Sequence, residues 1–163
     1  MFSVALSALD ARLTIATLKD SRVENSDVSL ADFFAQRAMR LQNSIVTEIT
    51  IPAMSRTRRA RIESVARTPR DKAIVSVCAA LEMERGVVRA GAIVLGGAAE
   101  SAWRARDAER EILNQGLTDD VIQRAAMAAT SALMPRGDFR GSSEYRLEMT
   151  RVLIARALKN LRA

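Results

Sequence analysis

The residues best suited to chemistry stand together between Gly137 and Met149, in the stretch GDFRGSSEYRLEM. Its serines could act as nucleophiles and its carboxylates as acids or bases. A serine nucleophile needs a base beside it, and the chain contains no histidine. Serines before an apolar run also cap helices, and Glu144 would favour the positive end of a helix dipole. We therefore interpret Ser142 or Ser143 as the cap of a final helix, and we expect no catalytic residue here.

The other polar residues of this stretch are not explained by capping. Asp138 and Arg140 are spaced to pair across a turn, and the hydroxyl of Tyr145 could reach a backbone carbonyl. We expect a structural or subunit-docking motif rather than a reaction centre, made of Asp138, Arg140, Ser142, Tyr145 and Arg146.

Composition excludes metal sites built on histidine or on a cysteine cluster. Without histidine there is no imidazole ligand, and Cys78 is the only cysteine, so no disulfide and no cysteine cluster can form. Cys78 lies within the apolar run AIVSVCAAL and is expected to be a small buried residue. We predict no metal site.

The elements that would position this stretch follow from hydrophobic periodicity. The segments ARLTIATL and SIVTEITIP alternate as strands do, and Pro52 ends the second. From Glu48 to Ala98 the pattern predicts an antiparallel meander of three or four strands with short connections, including a buried strand over Ala73–Leu81 and a turn at Arg85–Gly86.

Helical periodicity takes over after Gly97. Three helices are predicted, within ESAWRARDAEREILNQG, within TDDVIQRAAMAATSALMPRG with Thr118 as N-cap, and within SSEYRLEMTRVLIARALKNLRA. Shorter helices are expected near Ser3–Leu9 and after Ser29. Strands followed by helices indicate an α+β fold, a small antiparallel sheet packed against a three-helix layer.

Charge raises a second functional class. The net charge is +6, and six arginines fall between Arg56 and Arg70. The Arg56–Arg61 segment could bind nucleic acid, although no aromatic residue lies within it to stack on bases. A basic face that docks on an acidic protein is the other interpretation. The apolar start MFSVALSAL is too short to span a membrane and lacks a basic leader, so we expect a cytoplasmic protein.

Five strings in order carry a family resemblance: SLADFF, TEITIP, ARTPRDKAIVSVCAAL, AIVLGGAAESAWRARDAE and DFRGSSEYR. Together they resemble the medium, FAD-binding flavoprotein subunit of the molybdenum hydroxylases, the carbon monoxide dehydrogenase and xanthine dehydrogenase family. The resemblance implies that residues 48–163 form the C-terminal domain of such a subunit. Residues 1–47 would be the tail of the preceding FAD-binding domain.

The resemblance also implies partners and a cofactor. In the family, electrons leave a molybdopterin large subunit, cross an iron–sulfur small subunit and reach FAD, which passes them to an acceptor. The glycine-rich loops that clamp the FAD diphosphate belong to a part that these 163 residues do not include, so we expect no FAD on this chain alone. A partner chain could supply those loops, and a homodimer is possible.

The family's flavin-facing loop maps onto RIESVARTPRDKA. Arg67 and Asp71 match its pattern and are the candidate cofactor-binding residues. Ile62 stands where the family has an aromatic residue and Ser64 where it has a lysine. These two differences remove a stacking face and a cation suited to reduced flavin.

Overall fold

The computed structural model describes residues 1–162. Its contacts divide the chain into two compact units. The sheet–helix unit combines Met1–Ala8 with the chain from Met54 onward, and the smaller unit is Leu9–Ala53. The boundary expected between residues 47 and 48 falls inside a strand. That strand covers residues 44–50 and pairs within the smaller unit.

The sheet–helix unit is built on a four-stranded antiparallel sheet. Its strands run in sequence order across the sheet: β4 (Arg58–Val65), β5 (Val75–Glu84), β6 (Val87–Gly96) and β7 (Trp103–Arg104). The two central strands form a hairpin, and both residues of its turn, Arg85 and Gly86, have positive φ as a type I′ turn requires. The meander is thus confirmed, although it begins at Arg58 and not near Glu48.

Helices cover both faces of this sheet. Alternate residues of each strand point to opposite faces, so the two sets of side chains meet different helices. Val77 and Leu95 belong to the main core with three helices, α4 (Arg106–Ile112), α5 (Asp119–Ala128) and α6 (Ser143–Leu161). On the other face lies α1 (Phe2–Ala8), whose Val4 packs against Gly96. The α+β class with a three-helix layer is therefore confirmed.

The first of these three helices starts later than the sequence indicates. Periodicity places it from Glu100, but residues 103 and 104 extend along the sheet as β7 and pair with Val94 and Leu95. Gly97, at φ +77°, turns the chain back so that this edge pairing can form. Hydrophobic periodicity reflects only residues a few positions apart, so it cannot predict this pairing with β6.

The smaller unit is a three-stranded antiparallel sheet of order β2-β1-β3. Its elements are β1 (Arg12–Lys19), β2 (Arg22–Ser29), α2 (Leu30–Ala35), α3 (Arg37–Arg40) and β3 (Ser44–Thr50). Sequence periodicity misses β2, because this edge strand is polar and exposed over most of its length. A hairpin turn with positive φ at Asp20 and Ser21 sets its pairing with β1. Ser29 caps α2, as predicted.

Candidate functional site

The start of α6 places one arginine inside the protein. Ser142 is the N-cap, and its hydroxyl oxygen accepts a hydrogen bond from the Tyr145 amide at 3.2 Å. The cap fixes the first turn so that Arg146 faces the sheet, where only 3% of it is exposed. Thr150, one turn later, is also buried and donates to the Arg146 carbonyl at 2.7 Å. Glu144 points outward from the same turn.

The Arg146 guanidinium binds four acceptors from three parts of the chain. It donates to the Ile74 carbonyl at 2.7 Å, to the Gly97 carbonyl at 2.8 Å and to the Gly141 carbonyl at 3.3 Å. It also forms an ion pair with the Asp138 carboxylate at 2.7 Å. These contacts tie the beginning of β5 and the turn after β6 to the loop before α6. We call this set of residues the Arg146 cluster.

Asp138 is the counter-ion of that cluster and also organises a tight turn. Its amide donates to the Gly141 carbonyl at 3.0 Å, and the Gly141 amide donates back at 3.1 Å. Its carboxylate accepts from the Arg140 amide at 2.9 Å and from the Arg140 guanidinium at 2.7 Å. The hydrogen bonds from Arg140, and then those from Arg146, hold the pKa of Asp138 well below its usual range. The carboxylate is therefore ionised at neutral pH.

Two glycines let the cluster close. Gly97 has φ +77°, and a Cβ on it would lie 2.1 Å from the Ile74 carbonyl oxygen. A Cβ on Gly141 would lie 3.0 Å from the Tyr145 ring and 3.1 Å from Ile74 Cγ2. The backbone carbonyls can reach one guanidinium because these side chains are missing. Sequence reasoning finds a change from strand to helix periodicity after Gly97 but does not show that Gly97 packs against this cluster.

The candidate cofactor residues Arg67 and Asp71 lie in the loop between β4 and β5, here called the 66–73 loop. Arg67 donates from Nη2 to the Phe139 carbonyl at 2.7 Å, inside the turn organised by Asp138. Asp71 accepts from the Thr68 amide at 3.1 Å, and its own amide donates to the Thr68 carbonyl at 3.1 Å. The structure therefore joins Arg67 to the 138–146 stretch and gives Asp71 a role within its own loop. Their contact with a flavin stays a prediction.

Aromatic side chains of this region point to solvent. The Phe139 ring is 82% exposed, with the Arg140 guanidinium 5.7 Å from its centroid. Tyr145 is 39% exposed, and among the described residues its hydroxyl finds no hydrogen-bond partner. The expected bond from Tyr145 to a backbone carbonyl is therefore not formed. Its ring instead packs over Gly141.

The remaining candidate groups are engaged or buried. Arg58 donates to the Ala8 carbonyl at 3.0 Å, and Arg61 pairs with Glu63 at 2.8 Å, so part of the arginine segment contacts its own fold along β4. Cys78 is buried, and burial raises the pKa of its thiol. In the described part of the chain no group of histidine, cysteine, aspartate or glutamate could hold a metal ion.

The glycine pair Gly96–Gly97 does not fit a diphosphate. A phosphate loop lies between a strand and a helix, whereas Gly96 ends β6 and pairs with Ser76, and Cβ atoms on the pair would meet Val4 at 2.6 Å and the Ile74 carbonyl at 2.1 Å. This backbone therefore packs against protein.

Within residues 1–162, the structure contains no helix with the length and apolar character needed to cross a lipid bilayer.

Comparison with known proteins identifies the fold and the family. The family model for the CO dehydrogenase flavoprotein C-terminal domain matches residues 60–161. The glyceraldehyde dehydrogenase medium chain of Sulfolobus acidocaldarius is 29% identical over 97% of this chain and 55% of its own length. A subunit alpha of the 6-hydroxypseudooxynicotine dehydrogenase complex, from Paenarthrobacter nicotinovorans, is 27% identical over 95% of this chain and 52% of its own length.

A solved structure agrees with these relatives. The carbon monoxide dehydrogenase of Hydrogenophaga pseudoflava superposes with a TM-score of 0.89 at 26% identity, covering all of this chain and 57% of that one. The chain spans about half the length of the curated relatives it matches. The family model covers well over half of the chain, including β5, β6 and the Arg146 cluster. The chain therefore belongs to the CO dehydrogenase flavoprotein C-terminal domain family.

Proposed function

We propose that this chain is the C-terminal structural and docking module of a flavoprotein subunit in a molybdenum hydroxylase-type oxidoreductase. The match of the flavoprotein C-terminal domain model to residues 60–161 carries the proposal. In the assembled enzyme, electrons pass from an iron–sulfur subunit through FAD to an acceptor. We expect the chain by itself to be inactive, because it has no histidine to activate a serine and its described residues include no group that could hold a metal ion.

The same proposal assigns the parts of the chain. By descent, residues 1–47 are the tail of an FAD-binding domain and residues 48–163 are the C-terminal domain, although β3 spans this division and Met1–Ala8 belongs to the sheet–helix unit. The partners are a molybdopterin large subunit and an iron–sulfur small subunit, or a chain that supplies the FAD-binding loops, and a second copy could complete a homodimer. We place the complex in the cytoplasm. Names of the relatives, a medium chain and a subunit of a dehydrogenase complex, support a place in a multi-subunit enzyme.

Flavin binding is the direct test. FAD needs several backbone amides that converge on its diphosphate, and the glycine pair of this chain is packed against protein instead. Binding through a fragment of a site still loses roughly 4–15 kcal/mol of translational and rotational freedom. We therefore expect the purified chain to show no flavin absorbance, even after incubation with excess FAD and desalting. Stoichiometric yellow protein would contradict the proposal.

Complementation separates a docking module from an unrelated domain. The chain is mixed with FAD and a fragment carrying the N-terminal part of the Sulfolobus medium chain, and flavin retention is measured after desalting. We expect retention only when both chains are present. Asp71→Asn should weaken it, since the amide can keep the turn with Thr68 but loses the charge. Asp107→Asn on α4, an exposed carboxylate paired with Arg110, is the matched control and should have no effect.

The nucleic-acid alternative gains no support from the comparisons, which all point to flavoprotein subunits. We expect only weak binding of mixed-sequence DNA at physiological salt. Sub-micromolar affinity that falls when Arg56, Arg58, Arg59 and Arg61 are changed to alanine would restore that alternative.

A further inference from the structure

The 66–73 loop is attached to the rest of its unit mainly through one distant stretch of chain. At its base, the Ile74 amide donates to the Val65 carbonyl at 2.8 Å, and the Ile74 carbonyl accepts from buried Arg146 at 2.7 Å. Nearer its tip, Arg67 donates to the Phe139 carbonyl at 2.7 Å. Both outside contacts lead to residues 138–146, and each spans 72 positions of sequence.

The loop's internal bonds cannot provide this placement. Thr68 and Asp71 exchange two hydrogen bonds, which fix a local turn but not its position relative to the sheet. The loop is mostly exposed and carries Arg67, Arg70 and Lys72. A charged surface loop without outside contacts samples many conformations. Its order therefore depends on the two attachments.

The Phe139 carbonyl is a fixed acceptor because the turn around it is held on both sides. Asp138 and Gly141 exchange backbone hydrogen bonds, and the Asp138 carboxylate is bound by Arg140 and by Arg146. An exposed hydrogen bond to a mobile acceptor stabilises the loop only weakly, because the acceptor must lose conformational entropy when the bond forms. A preorganised acceptor avoids this entropic cost. The buried Arg146 guanidinium thus fixes the position of the Phe139 carbonyl, which accepts the hydrogen bond from Arg67.

We propose that Asp138 and Arg146 are positioning residues for the 66–73 loop, acting through the Ile74 carbonyl at its base and through the Phe139 carbonyl that receives Arg67. The start of the last helix thereby determines how the loop is presented. This coupling is a property of the chain alone. Its use in holding flavin rests on the proposed function.

Hydrogen exchange of the full chain, measured by mass spectrometry or NMR, tests the coupling. The reporters are the Thr68, Asp71 and Ile74 amides, whose hydrogen bonds lie within the loop and at its base and should open more often once the loop is detached. Arg67→Met removes the attachment near the tip and should speed their exchange by about tenfold, while the amides of the 138–141 turn stay unchanged. Asp138→Asn should speed exchange in both places. Arg67→Lys, which keeps a donor, should recover part of the protection.

Two controls keep the result interpretable. Amides in the middle of β5 report global opening and should exchange at the wild-type rate in every variant. Asp107→Asn removes an exposed carboxylate on α4 and should leave the loop unchanged. Loop amides that stay at the wild-type rate in Arg67→Met, or in an Asp138→Asn protein whose turn has loosened, would overturn the coupling.

The flavin-retention assay then separates the two proposals. If Arg67→Met loosens the loop and lowers flavin retention in the complemented mixture, both stand. If the loop loosens while retention is unchanged, the coupling stands and the loop does not line the flavin.

Discussion

Replacement of Arg146 by methionine should destabilise the sheet–helix unit strongly. Methionine keeps much of the side-chain length but removes every donor from a residue that is 3% exposed. The buried Ile74 carbonyl is then left without the guanidinium donor that lies 2.7 Å away in the wild type. The Gly97 and Gly141 carbonyls also lose donors but lie where water can reach them.

The magnitude follows from these unequal losses. A buried polar group left unsatisfied costs about 1–3 kcal/mol, and a group that water can reach costs less. Removing one partner of a fully buried ion pair costs about 3–5 kcal/mol, but Asp138 remains paired with Arg140 and is partly exposed. We therefore expect the free energy of unfolding to fall by about 2–4 kcal/mol.

Urea unfolding followed by Trp103 fluorescence is the assay. Trp103 is the only tryptophan and lies on β7, so its signal reports the unit that contains the cluster. The slope of free energy against urea should stay constant while the midpoint falls. Arg146→Lys should lie between wild type and methionine, because an ammonium cannot match the fork of a guanidinium.

Arg151→Met supplies the matched control on the same helix. Its side chain is 48% exposed and donates to the Thr130 hydroxyl at 3.0 Å. Its loss should cost no more than about 1 kcal/mol. If Arg146→Met proves no more costly than Arg151→Met, the cluster does not hold these segments together and our reasoning is wrong.

Three further outcomes are expected. Gly97→Ala should destabilise the unit far more than Gly86→Ala, since both have positive φ but only the Gly97 Cβ would strike a carbonyl oxygen, at 2.1 Å; equal urea midpoints would contradict this. Because hydrogen bonds from Arg140 lower the folded pKa of Asp138, its stabilisation should be present above pH 3.8 and lost as pH falls further, so the stability gap between wild type and Asp138→Asn should narrow on acidification. Cys78, buried and with a raised thiol pKa, should react with an aromatic disulfide reagent only as fast as the unit opens; rapid labelling of native protein would show that the thiol is accessible.

Local patterns in the sequence were sufficient for much of the fold. Ser142, Thr118 and Ser29 all cap helices where a cap residue precedes an apolar run. The alternating and continuous apolar runs became β1, β3, β5 and β6, because burial of one or both sheet faces selects such patterns. These features depend on neighbours within a few positions, which the sequence shows directly.

The candidate site was readable only in part. The stretch GDFRGSSEYR predicts no catalytic residue, because the chain has no histidine to serve as a base, and the Asp138–Arg140 pair follows from a spacing of two residues. A signal for Arg146 existed as well: Arg146, Thr150, Leu153 and Ala157 recur at helical spacing, and the last two are apolar. That spacing indicates a buried face, but a charged residue on it has no visible partner in sequence.

Tertiary structure alone decided which distant groups satisfy that charge. Two of the four acceptors of Arg146 are the carbonyls of Ile74 and Gly97, 72 and 49 positions away, and every residue type possesses such a carbonyl. The partner strand of β7 and the attachment of Arg67 to Phe139 are of the same kind. The type of a residue does not show which donor its backbone carbonyl will accept from. That partner is fixed only when sheet register and helix packing bring the two groups together.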